Sequence, residues 1–148
     1  MSDSTTAARS FLAFDYGEKY IGVAVGSSHI RLAEALTTLR GSAKSPDWQR
    51  ILQLIEEWRP QALVVGLPLN MDGSDNPMTR AARAFGQRLK ERYNLPVHMV
   101  DERLSTLAAR DILNEAGVPM RRHKARLDKL AAQTILQAFL NELPGDSP

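Results

Sequence analysis

"FLAFDYGEKYIGVAVG", residues 11–26, consists of two apolar runs joined by a short polar corner. Phe, Val and Ile crowd both runs, and Gly17 sits in the "YGEK" corner. The stretch therefore predicts an antiparallel β-hairpin with strands over 10–15 and 20–26. Asp15 closes the first run. A charge at a strand end is either a solvated turn residue or part of a site, and the rest of the chain bears on which.

Outward from the hairpin, "LAEALTTL" (32–39) reads as a third strand, although its Ala and Leu content also suits a helix. From Pro46 the period changes: Trp48, Ile51, Leu52, Ile55 and Trp58 recur at helical spacing until Pro60 stops the pattern. "ALVVGLP" (62–68) is a buried strand. Asn76 followed by Pro77 marks the cap and first turn of a second helix. Its apolar stripe is Met78, Ala81, Ala82, Phe85, Leu89 and Tyr93. "LPVHMV" (95–100) forms a fifth strand that ends in Asp101 and Glu102. A third helix is expected over 105–116, stopped by Gly117, and a fourth over 126–142.

A three-stranded antiparallel meander followed by β-α-β crossovers gives an α/β fold: a mixed five-stranded sheet flanked by helices. That is the arrangement of the ribonuclease-H-like fold. The expected organisation is one domain over 10–142, with a disordered tail at 1–9 and a flexible tail at 143–148.

Composition narrows the function classes. The 148 residues are 43% hydrophobic and 24% charged, ordinary for a globular protein with a core. With no cysteine there is no disulfide framework, thiolate nucleophile or Cys-based zinc site. No apolar run approaches the roughly 18 residues of a membrane span, and "MSDSTTAARS" lacks the apolar centre of a signal peptide. No membrane association and a cytoplasmic location are expected. Net charge is only +2, but it is unevenly spread. Five Lys/Arg lie between Arg80 and Arg92 against Glu91, and five more between Arg121 and Lys129 against Asp128. Such segments suit phosphate contacts, or simply a solvated helix face and a loop.

The acids fall at telling places. In α/β sheets, ligand sites gather in the crevice at the strand ends. Asp15 closes strand one and the Asp101–Glu102 pair closes strand five. Steps of 3, 4, 7 and 11 from Asp128 land on Ala131, Ala132, Ile135 and Phe139, whereas Lys129, Gln133, Gln137 and Asn141 form a polar face. Asp128 thus shares the core-facing stripe. Taken alone it is an acid favoured by a helix N-terminus. Three acids ending apolar elements at one crevice instead make an oxygen ligand set suited to Mg²⁺ or Mn²⁺. Two such ions about 4 Å apart activate a water and stabilise the leaving oxygen of a phosphodiester. The three histidines, His29, His98 and His123, lack zinc-ligand spacing.

"GLPLNMDGSDNP" (66–77) links strand four to the second helix at the same edge. Asn70 and Ser74 are candidates to orient a phosphate or a metal-bound water. A capped loop with an Asp72–Gly73 turn explains the composition almost as well. The Walker spacing is absent.

Four blocks, "FDYGEKYIGVAVG", "VVGLPLNMDGS", "VDERLST" and "RRHKARLDKLAAQTILQAFL", together resemble the YqgF/RuvX family of Holliday-junction-resolvase-like, ribosomal-RNA-processing nucleases. They cover most of residues 11–140. The resemblance implies a ribonuclease-H-like nuclease using divalent metal, with a role at the 5′ end of the small-subunit (pre-16S) ribosomal RNA precursor. By position it implies Asp15, Glu102 and Asp128 as catalytic metal ligands, with Asp101 and Asp72 as alternatives for the second. Lys19, Asn70, Ser74, Arg103 and the basic loop residues Arg121, Arg122, Lys124 and Arg126 are the nucleic-acid-binding candidates. Arg103 serves equally as a salt-bridge partner of the acids. The loop is expected to be mobile and to close over nucleic acid, bringing Asp128 to the metals.

Two positions depart from the family pattern: Tyr20 stands where Arg usually precedes Ile-Gly, and Gly26-Ser27 where Ser-Asp often follows "GVAV". Both bear on substrate contacts more than on the acids. Competing readings are a resolvase of branched DNA, which needs a dimer rather than a monomer, and a non-catalytic RNA-binding assembly factor. An actin-like ATPase is a third, for which the chain lacks the length of the second domain.

Overall fold

A computed structural model describes residues 9–17, 19–40, 45–101 and 120–143, and of residues 120–129 the backbone alone. The elements are β1 (Ser10–Tyr16), β2 (Tyr20–Ser27), β3 (Ala33–Arg40), α1 (Trp48–Trp58), β4 (Ala62–Leu67), α2 (Pro77–Tyr93), β5 (Val97–Asp101) and α3 (Met120–Glu142). The sheet order is β3-β2-β1-β4-β5. The first three strands pair antiparallel, and β4 and β5 join parallel. This is the mixed sheet expected from the pattern. The expected helix over 105–116 and the two tails, apart from Arg9 and Leu143, lie outside the described residues.

β1 is the centre of the sheet, and its continuous apolar run follows from burial on both faces. Leu12, Phe14 and Tyr16 enter one core with residues of α1 and α2, among them Ile51, Leu54, Ala82 and Phe85. Phe11 and Ala13 enter a second core with Ala24, Val64, Ala132, Ile135, Leu136 and Leu140. Helix α3 therefore covers one face, and α1 and α2 the other.

The local signals work as their chemistry predicts. The Asn76 side chain accepts from Thr79 N at 2.9 Å, and the Thr79 hydroxyl accepts from Asn76 N at 3.0 Å, closing a capping box ahead of Pro77. Helix α1 starts at Asp47, whose carboxylate accepts from Arg50 N, and ends at a left-handed Arg59. One expectation is corrected. Residues 121–126 are helical, because α3 opens at Met120 and not at 126. Arg, Lys and Ala are strong helix formers, but a run so rich in charge carries no apolar period from which to read a helix.

The corner between β1 and β2 requires glycine. Gly17 N donates to Tyr20 O at 3.0 Å, and a Cβ at this position would lie 2.7 Å from the same oxygen. Gly17→Ala must displace that backbone, so we expect a loss of about 1–3 kcal/mol in urea unfolding; an unchanged midpoint would refute the close approach.

Tyr16 stacks on Phe85 with ring centroids 4.7 Å apart. Burial pushes the Tyr16 phenol above its ordinary value, partly offset by the Arg88 charge. The neutral phenol is thus favoured in the fold. Its contribution is complete below the unfolded value of about 10 and is lost as pH rises through the folded value. Tyr93 is shifted in the same direction by burial, partly offset by Arg92. The urea midpoint should therefore fall between pH 9 and pH 11, and fall less in Tyr16→Phe. Equal falls in the two proteins would refute the assignment to Tyr16.

Candidate active site

Sheet register places the acids. Asp15 pairs with Gly22 on β2 and follows Phe14, the partner of Val65 on β4. It therefore stands level with Gly66, which is itself the partner of Val100 on β5. Side chains alternate along a strand. Asp15 shares the face of Phe11 and Ala13, which α3 covers. The carboxylate is half-buried, with glycines at the registered positions on both neighbouring strands. Neither has a side chain to fill the space beside it.

Asp101 ends β5 opposite Leu67. Val97 and Met99 pack into the α1/α2 core and Val100 into the α3 core, so Asp101 belongs to the face away from Asp15. Adjacent strands lie about 4.8 Å apart, so β1 and β5 are about 10 Å apart across β4. Asp15 and Asp101 therefore stand on opposite faces of the sheet. Glu102 and Arg103 lie outside the described residues. Positions 121, 122, 124, 126 and 128 lie on the backbone of α3, with side chains outside the described set. The register read for Asp128 holds over the residues that follow it: Ala131, Ala132 and Ile135 are buried, and Phe139 packs edge-on against Phe11 at 5.1 Å.

The 66–77 connection is closed on itself. The Asp72 carboxylate accepts from Ser74 N at 2.9 Å and from the Ser74 hydroxyl. Asn70 Nδ2 donates to Ser74 Oγ at 3.0 Å, and Asn70 Oδ1 accepts from Asn76 Nδ2 at 2.8 Å. Gly73 turns the chain at φ 89°. The buried Thr79 hydroxyl donates to Pro68 O at 2.6 Å and anchors the loop to α2. The polar atoms of Asn70, Asp72 and Ser74 thus serve the turn, as the capped-loop reading predicts. Lys19 is exposed in the hairpin corner.

The basic stretch of α2 is partly structural. Arg83 pairs with Asp75 at 3.2 Å on the surface, and the Arg92 guanidinium lies 4.2 Å from the Trp48 ring centroid. Arg80, Arg88 and Lys90 are exposed.

Sequence reasoning placed Gln133 and Gln137 on the polar face of the helix, without a partner for them. They instead hold the edge of the sheet. Gln137 Oε1 accepts from Ala33 N at 2.9 Å and its Nε2 donates to Arg31 O at 2.9 Å, while Gln133 Nε2 donates to Ala33 O at 3.0 Å. The only sequence signal is two amides four apart beside the apolar stripe.

Asp15 brings a hard, anionic oxygen donor to a strand end, chemistry that fits Mg²⁺ or Mn²⁺. Among the described residues, no three of His, Cys, Asp and Glu gather closely enough to hold a metal ion; a complete set would draw on acids beyond them. Nor, among those residues, is any helix long and apolar enough to cross a membrane.

Comparison with known proteins agrees with this architecture. The structure of T. thermophilus RuvC in complex with a Holliday junction substrate superposes with a TM-score of 0.52 at 17% identity, covering 89% of this chain and 93% of that one. At that identity the likeness concerns the fold, which is ribonuclease-H-like. A protein of Nitrosococcus oceani named "Putative pre-16S rRNA nuclease" is 50% identical over 94% of this chain and 91% of its own length. A Nitrosomonas europaea protein of the same name is 43% identical over 95% of this chain and 96% of its own length. The profile of RuvX, described as Holliday junction resolvase, matches residues 9–142. A hairpin with its acid at the strand end, parallel crossovers and a long closing helix thus stand within a match that spans nearly the whole chain, and the protein is a member of the RuvX family.

Proposed function

We propose that this chain is a divalent-metal-dependent nuclease that processes the 5′ end of pre-16S ribosomal RNA in the cytoplasm, with Asp15, Glu102 and Asp128 as its metal-holding acids. The observation that carries the reading is the shared face. Asp15 stands on the side of the sheet covered by α3, the helix whose backbone carries position 128. Asp101 stands on the face away from Asp15, which leaves Glu102, the acid that the family resemblance implies, as the second ligand of this reading. The names and high identity of the relatives support RNA as the substrate.

In this reading the three carboxylates would hold the metal ions at the end of β1, and those ions would supply the positive charge that a phosphate needs there. Lys19, Arg103 and the basic first turns of α3 (Arg121, Arg122, Lys124 and Arg126) hold the flanking phosphates. The 66–77 loop, held by its own hydrogen bonds, forms one wall, with Asn70 and Ser74 exposed on it. Two bound Mg²⁺ or Mn²⁺ ions would supply an activated water near neutral pH and charge stabilisation for the leaving oxygen.

The test is cleavage of a labelled 5′ precursor fragment of small-subunit ribosomal RNA, with Mg²⁺, with Mn²⁺ and with EDTA. A four-way DNA junction serves as the competing substrate, since the family description and the fold neighbour both point to branched DNA. EDTA-sensitive cutting of the RNA is expected. Preferential cutting of the junction would transfer the site to DNA, and binding without cutting would favour an assembly factor.

A further inference from the structure

We infer that Gln133, Gln137 and Arg31 are positioning residues that set where α3 lies along the sheet, and thereby where Asp128 stands relative to Asp15. The inference rests on the proposed metal site. Its basis is a two-way polar lock between α3 and the chain entering β3. The two glutamines reach from the helix to the peptide groups of Ala33 and to the Arg31 carbonyl, at 2.9–3.0 Å. Arg31 reaches back: its Nη1 donates to Leu140 O at 3.0 Å and Leu143 O at 3.1 Å, at the end of the same helix. Its backbone is left-handed, at φ 60°.

Apolar packing alone does not set this position sharply. Beyond the Phe11–Phe139 contact, the stripe of α3 rests largely on Ala13, Ala24, Ala33 and Ala62, and hydrophobic burial is non-directional. Hydrogen bonds fix both distance and angle. Each glutamine amide here stands in for a neighbouring strand, so a slide of the helix would strand the buried-edge peptide groups at 31 and 33. Gly26 lets the helix come close beneath: a Cβ there would lie 3.1 Å from Leu140 Cδ1 and 3.2 Å from Leu136 Cδ2. Asp128 precedes Gln133 by five residues, about 7.5 Å along the axis. Metal ligands need placement within roughly 0.5 Å, a precision that directional hydrogen bonds serve.

The experiment compares wild type with Gln133→Leu/Gln137→Leu and with Gln137→Glu, which keeps an acceptor for Ala33 N. Four quantities are read: hydrogen exchange at the Ala33 amide, Mn²⁺ affinity without RNA, kcat and KM on the precursor fragment, and the urea midpoint. In the double variant the Ala33 amide should exchange faster. Mn²⁺ affinity and kcat should each fall about 10- to 100-fold, the scale of a lost ligand-orienting partner, with KM held within about threefold. Gln137→Glu should keep Ala33 protection and lie between the two. If the double variant does not fold, Gln137→Leu against Gln137→Glu makes the same comparison.

Wild-type Mn²⁺ affinity and kcat in a variant that has lost Ala33 protection would overturn the inference. A wild type that binds Mn²⁺ more tightly than the variants but cuts no RNA would remove the nuclease reading and leave the positioning role standing. A wild type that binds no Mn²⁺ would overturn both.

Discussion

Asp15→Asn should abolish metal-dependent cleavage while leaving the protein folded. Asparagine keeps the shape of the side chain and one oxygen, but loses the charge that makes a carboxylate a ligand for a hard cation. The loss should exceed the roughly 10- to 100-fold that follows removal of a merely orienting group. The fold has little reason to suffer, because Asp15 is only half-buried at a strand end. Asp101→Asn supplies the contrast: it lies beyond Val100 on the other face and should retain activity within a few-fold of wild type, as surface changes away from a site do. Single-turnover cleavage and urea melts on the same preparations make the measurement. Activity within tenfold of wild type in Asp15→Asn would remove Asp15 from the site, whatever the family resemblance implies.

The largest stability effect is expected at Phe85. It is 1% exposed and stands where three elements meet, with ring centroids at 4.7 Å from Tyr16, 5.7 Å from Trp48 and 5.8 Å from Phe14. Truncation opens a cavity that neither the sheet nor α1 can fill by a side-chain shift. Phe85→Ala should cost about 3–5 kcal/mol, a large share of the roughly 5–15 kcal/mol that holds a domain of this kind together. The urea midpoint should drop with an unchanged slope. A loss below about 1 kcal/mol would mean that the aromatic cluster repacks.

Much of this architecture was legible because local and tertiary preferences agree. The hairpin at 10–27 announces itself through two apolar runs and a glycine corner, and α2 through Asn76 and Pro77. The third strand was ambiguous, since "LAEALTTL" suits a helix; pairing with β2 along 33–40 decides it, as tertiary context does for weak β-formers. The choice between Asp101 and Glu102 could not be read from spacing, because alternation gives parity without a reference. Through Val100 the sheet puts Asp101 on the face away from Asp15, whereas Glu102 lies outside the described residues. The glutamines were misread for a simpler reason. To an amide side chain, the free edge of a strand offers the same donors and acceptors as water, and nothing in the spacing distinguishes them. The start of α3 was misplaced because charge hides periodicity.

The partition of the sheet into two cores has a consequence for how the protein is born. The α1/α2 core draws on elements that lie early and mid-chain, whereas Phe11, Ala13, Ala24 and Val64 wait for Ala132, Ile135, Leu136 and Leu140. Domains fold as they leave the ribosome, at about 5–20 residues per second. Among the described elements, the face under α3 therefore waits several seconds longer for its cover than the α1/α2 face does. It becomes whole only when its closing helix emerges.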